Sequence, residues 1–134
     1  MTVLVAYVDT AEGNAAFEAA VEEAAHRGEP LVVLNSPRPG APVDAHLVTD
    51  DRAAALRRRT DEAGVELDLR QTPHHEDLVP VLEEVAAEVG ASVLVIGIKR
   101  RSPVGKLLLG STAQRILLHI TIPVLAVKPA DRRA

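Results

Sequence analysis

The sequence predicts an α/β fold, a single doubly wound parallel sheet of five strands with helices on both faces. Short apolar runs rich in β-branched residues, the pattern of strands buried on both faces, alternate along the chain with amphipathic helical segments. Glycines stop most of those segments, which places a chain reversal before the next strand. The length of 134 residues suits one core and leaves too little material for a second, so one domain over 1–134 is expected.

Val3 to Val8 is the first apolar run. A helix follows from Glu12 to Arg27, because Ala16, Phe17, Ala20, Val21, Ala24 and Ala25 recur at helical spacing while Glu18, Glu22, Glu23 and Arg27 fall elsewhere on the wheel; Gly28 stops it. Leu31 to Leu34 reads as the second strand, and Asn35 to Pro42 as a Pro/Gly-rich loop that sustains neither regular structure. A second helix is placed from about Ala45 to Ala63, stopped by Gly64, on a thin stripe of Val48, Ala55, Leu56 and Ala63. Arg57 to Arg59 read as its solvent face, with a partner-binding patch as the alternative.

Val65 to Gln71 alternates apolar and polar residues, as an edge strand with one wet face does. In the third helix Leu78, Val81, Leu82, Val85 and Val89 mark one face, Pro80 sits in the first turn and Gly90 is the stop. Ser92 to Gly97 is the most strand-like run and is expected at the centre of the sheet. A loop from Ile98 to Lys106, a short helix from about Thr112 to His119, and a last strand Val124 to Val127 introduced by Pro123 complete the chain. In such a sheet ligands bind beyond the carboxyl ends of the strands, where strand order reverses. The residues just after Val8, Leu34, Ile96 and Val127 are therefore the ones to inspect.

Composition removes several function classes. There is no cysteine, hence no disulfide framework, no cysteine-ligated metal and no cysteine nucleophile. A net charge of −4, with Tyr7 and Phe17 as the only aromatic residues, argues against nucleic acid, since both the basic surface and the stacking platforms are missing. No apolar run reaches membrane-spanning length, and the opening MTVLVAYVD has neither a basic run nor a small-residue cleavage site, so a cytoplasmic location and no membrane partner are expected. His74 and His75 beside Glu76 and Asp77 suggest a metal, but consecutive side chains point apart and no third ligand is spaced to complete a site. His26, His46 and His119 stand singly on the predicted helices and read as solvated. No nucleophile sits beside a base, so an enzyme is not expected.

The chemistry concentrates between Gly97 and Thr112, which follow a central strand and lead into a helix. Gly97 and Gly110 permit close backbone approach at the strand end and the helix start, with room for a phosphate chain between them. Ser111 with Gln114 fits a capping box, leaving the N–H groups around Thr112 and Ala113 pointing outward with the positive end of the helix dipole behind them. Lys99, Arg100, Arg101 and Lys106 bring four cations to one loop of an acidic chain. The alternative is a solvated loop whose glycines serve turns, for neither G-x-x-x-x-G-K-[ST] nor G-x-G-x-x-G is present.

Gly97, then Gly110-Ser111 at the head of a helix, then Ile122-Pro123-Val124-Leu125-Ala126-Val127-Lys128 resemble the carboxy-terminal signature of the universal stress protein family, G-x2-G-x9-G-[ST] ending in a P-V-L-V-V strand. Arg101 to Leu109 supply the nine-residue spacer, and Val3 to Thr10 is similar to the family's first strand with its terminal Asp. The resemblance implies a Rossmann-like sheet of order 3-2-1-4-5 and a cytoplasmic stress-response regulatory module that binds ATP, with Mg²⁺, or another adenine nucleotide. It also implies a homodimer through the last strand, Val124 to Val127, whose exposed apolar edge needs cover, and an unidentified protein partner. By the same resemblance, Val8, Asp9 and Thr10 lie near the adenosine, Asn35 and Ser36 on the adenine side, and Ile96 and Gly97 at ribose and phosphate. Gly110, Ser111 and Thr112 hold the phosphates, with Lys99 and Arg100 as electrostatic partners. Alternatively, Asp9 is an N-cap of the first helix, and Asn35 and Ser36 begin a turn. Arg100 stands where the family has its second Gly. Its guanidinium either grips phosphate or fills the pocket and pairs with Asp9 or another acid, which leaves a nucleotide-free dimeric interaction module as the second reading.

Overall fold

The computed structural model describes residues 1–36, 48–72, 77–98 and 110–129. They form β1 (Thr2–Ala6), α1 (Ala11–Arg27), β2 (Leu31–Asn35), α2 (Asp50–Ala63), β3 (Leu67–Gln71), α3 (Val79–Val89), β4 (Ala91–Gly97), α4 (Ser111–His119) and β5 (Val124–Val127). The sheet has the order β3-β2-β1-β4-β5 and every pairing in it is parallel, as the alternation of elements and the family resemblance predict. All carboxyl ends therefore share one edge, and the order reverses between β1 and β4.

Side-chain alternation along the strands builds two cores. Val3, Val5, Tyr7, Leu31, Val33, Val93 and Val95 face α1 and α2, where Ala16, Phe17, Ala20, Val21, Ala24 and Leu56 cover them. Leu4, Val32, Leu34, Leu94 and Ile96 face the other way, onto Val79, Leu82 and Val85 of α3 and Ile116 of α4. Burying one such side chain contributes about 1.5–3 kcal/mol, against the tenths that separate most helix propensities. The strand pattern, more than helix propensity, thus decides where each helix docks. Phe17 meets Tyr7 edge to face, with ring centroids 6.0 Å apart.

The element boundaries shift for local reasons. β1 ends at Ala6, short of the expected Val8, because the Thr10 N–H donates to Val8 O at 2.9 Å and turns the chain into α1. α2 starts at Asp50, later than the expected Ala45, since Thr49 is extended and its Oγ1 caps the Arg52 N–H at 3.1 Å. Residues 45–47 lie outside the described part of the chain. Gly28, Gly64 and Gly90 close α1, α2 and α3 at φ between 63° and 70°, the left-handed region that glycine enters without strain. At the β3 edge Arg70 bonds Asp68 at 3.0 Å and Glu88 at 3.1 Å, putting charge along an otherwise open strand.

Candidate functional site

At the carboxyl end of β1 the backbone turns directly into α1. Thr10, not Asp9, is the N-cap: its Oγ1 accepts the Gly13 N–H at 3.0 Å. A Cβ at Gly13 would lie 1.8 Å from the Val8 carbonyl oxygen, so only glycine lets the first turn fold back this tightly. Gly97, at the end of β4, is under similar pressure, because its Cβ would lie 2.1 Å from the Glu12 carbonyl oxygen. The closeness that Gly97 permits is therefore spent on the first turn of α1.

A polar network crosses this corner. The Tyr7 hydroxyl donates to Asn14 Oδ1 at 2.6 Å, Asn14 Nδ2 donates to Asp9 Oδ1 at 2.9 Å, and Arg52 Nε donates to Asp9 Oδ2 at 3.2 Å. Burial first, and then the charge of Asp9, push the Tyr7 hydroxyl up to about 12, so it remains a donor at neutral pH. Asp9 has both carboxylate oxygens engaged, by Asn14 and Arg52.

At the end of β2, Asn35 is fully buried and its side chain stitches three segments together. Nδ2 donates to the Tyr7 carbonyl at 3.0 Å, and Oδ1 accepts the Val48 N–H at 3.0 Å. Gln71 Nε2 adds a bond to Val48 O at 3.2 Å. Ser36 is buried beside Asn35. Asn35 thus ties β1 to the segment entering α2.

The start of α4 is built differently. Gly110 is the N-cap, at φ −63° and ψ 157°, and its carbonyl accepts the Gln114 N–H at 3.0 Å. Ser111 is the first helical residue and makes no capping bond, so the expected capping box does not form. The reason is positional: the extended cap residue is Gly110, and a hydroxyl on the first helical residue has lost the geometry that reaches the third. The N–H groups of Ser111, Thr112 and Ala113 have no intrahelical acceptor, and among the described residues no side chain caps them. A Cβ at Gly110 would meet no described atom within 4 Å, and Ser111 and Thr112 are exposed.

Nearby, Arg115 of α4 ion-pairs with Asp77, whose other oxygen accepts the Val79 N–H at 3.1 Å and so holds the start of α3. The guanidinium, and then the Val79 N–H, keep the Asp77 carboxyl below the usual carboxylate range.

The model of the universal stress protein family matches residues 1–128. The chain belongs to the universal stress protein family. A universal stress protein of Mycolicibacterium smegmatis is 41% identical over 127 residues, which is 95% of this chain and 97% of that one. The structure of a universal stress protein from Archaeoglobus fulgidus is 30% identical, covers 96% of this chain and 98% of its own, and superposes with a TM-score of 0.71. Two further structures share the fold at 24% identity. A universal stress protein in complex with cAMP has a TM-score of 0.70 and coverage of 97% and 98%. One from Archaeoglobus fulgidus in complex with dAMP has a TM-score of 0.64 and coverage of 96% and 98%.

In this universal stress protein the topology gathers Val8, Asp9 and Thr10, then Asn35 and Ser36, then Ile96 and Gly97, and finally Gly110, Ser111 and Thr112 at the carboxyl edge. Ile96 is buried in the α3/α4 core, so it reaches that edge through its backbone. Lys99, Arg100, Arg101 and Lys106 lie outside the described residues, as do His46, His74, His75 and Glu76. His26 and His119 are exposed on α1 and α4. Of the three consecutive arginines, Arg57 and Arg58 are exposed, while Arg59 bonds Glu18 at 2.8 Å.

Sequence reasoning missed Gly13, Asn14 and Arg52, and saw in Tyr7 only an aromatic ring. One signal was available for Gly13: a glycine in the first turn of a helix is unfavourable unless something approaches closely.

Proposed function

We propose that this universal stress protein is a regulatory module that binds an adenine nucleotide at the carboxyl edge of the sheet, with ATP as its principal ligand. The observation that carries this reading is the start of α4. Its outward N–H groups, the open space at Gly110 and the exposed Ser111 and Thr112 hydroxyls suit phosphate oxygens. The cAMP and dAMP complexes of two proteins that share this fold support adenine nucleotides as the ligand class. In this reading Val8, Asp9 and Thr10 lie by the adenosine, Asn35 and Ser36 border the adenine, and Ile96 and Gly97 meet ribose and phosphate by backbone. Gly110, Ser111 and Thr112 hold the phosphates, with Lys99 and Arg100 supplying charge. Among the described residues no group of three His, Asp or Glu is arranged to hold a metal, so Mg²⁺ would ride on the nucleotide's own phosphates.

The module acts by binding in the cytoplasm, signals to a protein partner, and hydrolyses ATP slowly at most. It dimerises through β5, where Leu125 is 38% exposed on a strand with one neighbour. Sedimentation is expected to give a dimer at micromolar concentration; a monomer there removes the β5 pairing. Among the described residues no helix is long and apolar enough to cross a membrane.

Calorimetric titration of ATP, cAMP and dAMP, with and without Mg²⁺, tests the ligand, together with mass spectrometry of the denatured protein for retained nucleotide. Saturable binding of at least one is expected, weakened in Arg100→Ala. No binding at millimolar concentration and no retained nucleotide overturns the reading. Binding gained only in Arg100→Ala assigns the closure to Arg100.

A further inference from the structure

We propose that Arg52 determines which ligand charge the crevice accepts, a role that rests on the adenine-nucleotide reading. Asp9 lies three residues past the end of β1, so it stands on the edge that an anionic ligand would approach. An uncompensated carboxylate there opposes every phosphate charge brought near it. Arg52 supplies the compensation, through Nε on Asp9 Oδ2 at 3.2 Å. Asn14 holds the other oxygen at 2.9 Å, but a neutral amide brings a dipole and no net charge, and its own Oδ1 is taken by the Tyr7 hydroxyl. Among the described residues of this network Arg52 is the group that carries the charge opposite to Asp9.

The fold delivers Arg52 deliberately. Asn35 Oδ1 anchors the Val48 N–H, Gln71 holds the Val48 carbonyl, and Thr49 Oγ1 caps the N–H of Arg52 itself at 3.1 Å. The first turn of α2 is thereby set against the β1–α1 corner, and the guanidinium reaches an acid 43 positions earlier in the chain. Asp77, at the start of α3, is likewise matched by an arginine from another helix, Arg115. The Arg52 and Asp9 side chains are 38% and 41% exposed, a setting in which an ion pair contributes little to stability. Folding gains little from the pair, whereas its effect on local charge is one full unit.

The test is equilibrium titration of adenosine and of AMP, at low ionic strength, into wild type, Arg52→Ala, Arg52→Lys and the double variant Asp9→Asn/Arg52→Ala. Urea midpoints verify that each variant is folded. In Arg52→Ala the affinity for AMP relative to adenosine is expected to fall by about three- to tenfold, the effect of one unmatched charge across several ångströms of wet protein surface. Arg52→Lys keeps the wild-type ratio, and the double variant regains it because the opposing carboxylate has gone as well. Salt near about 0.5 M narrows the gap, since it screens charge over a few ångströms. An unchanged AMP-to-adenosine ratio in Arg52→Ala overturns the inference and leaves the nucleotide reading standing. Wild type that binds neither compound overturns the inference, and the nucleotide reading falls with it when ATP, cAMP and dAMP also fail to bind.

Discussion

At the β1–α1 corner the chain answers its own polar groups: Thr10 caps α1, Asn14 and Arg52 hold Asp9, and Asn35 closes over the Tyr7 carbonyl. At the start of α4, on the same sheet edge, Gly110 offers no side chain and the first N–H groups have no capping partner among the described residues. The two glycines make the contrast concrete. Gly97 has a backbone oxygen where its Cβ would be, while a Cβ at Gly110 would meet no described atom within 4 Å. Among the described residues, one side of this edge has its polar groups answered by folding, and the other does not.

The sharpest way to break this comparison is Gly97→Ala. Its Cβ would sit 2.1 Å from the Glu12 carbonyl oxygen, and backbone cannot swing aside as a side-chain tip can. We expect a loss of about 3 kcal/mol or more, read from urea denaturation. A wild-type midpoint would mean that α1 does not depend on this approach.

Asn35→Ala comes next. It leaves the buried Tyr7 carbonyl and the Val48 N–H without the bonds that Asn35 makes, at about 1–3 kcal/mol per orphaned group. Loss of stability with an unchanged dependence on denaturant concentration is the expected signature; an effect under about 0.5 kcal/mol would show that water replaces the side chain freely.

Gly110→Ala sharpens the contrast from the other side. Its stability cost is expected to stay below about 1 kcal/mol, the difference between glycine and alanine as caps. Nucleotide affinity should nevertheless fall at least about tenfold, since a methyl group would project into space where phosphate oxygens would sit. Equal affinities in titration would remove the start of α4 from the site.

The smallest effect concerns pH. Asp77 has a carboxyl held below its ordinary 3.8, so its contribution is fully present above that value and is lost as pH falls through the lower folded-state value. The difference in melting temperature between wild type and Asp77→Asn should be constant above about pH 5 and close only in more acidic solution. A gap that closes near neutrality would point to another group.

The sheet was legible because its information is local. Each strand announces itself in a run such as SVLVIG, and α1 in the spacing of Ala16, Phe17, Ala20, Val21 and Ala24, all of which are buried. Partnership in the site was not legible. Asp9 as N-cap lost to Thr10, and the buried stitch that Asn35 makes was not foreseen, because caps and buried bonds depend on backbone angles and on neighbours that periodicity does not report. The capping-box motif at Ser111 failed for the same reason. Four correctly spaced residues cap a helix only if the first of them stays outside it, and here Gly110 takes that position.

By itself the sequence determined the order of elements, the two-sided burial of the central strands, the family signature and the edge where chemistry gathers. Hydrophobic periodicity and short motifs suffice for these, since each is written within a few residues of where it acts. Only the tertiary structure decided that Gly97 serves α1 and that Arg52 answers Asp9. Those outcomes depend on distances of 2–3 Å between atoms far apart in the chain, and such distances exist only once the sheet has brought its carboxyl ends together.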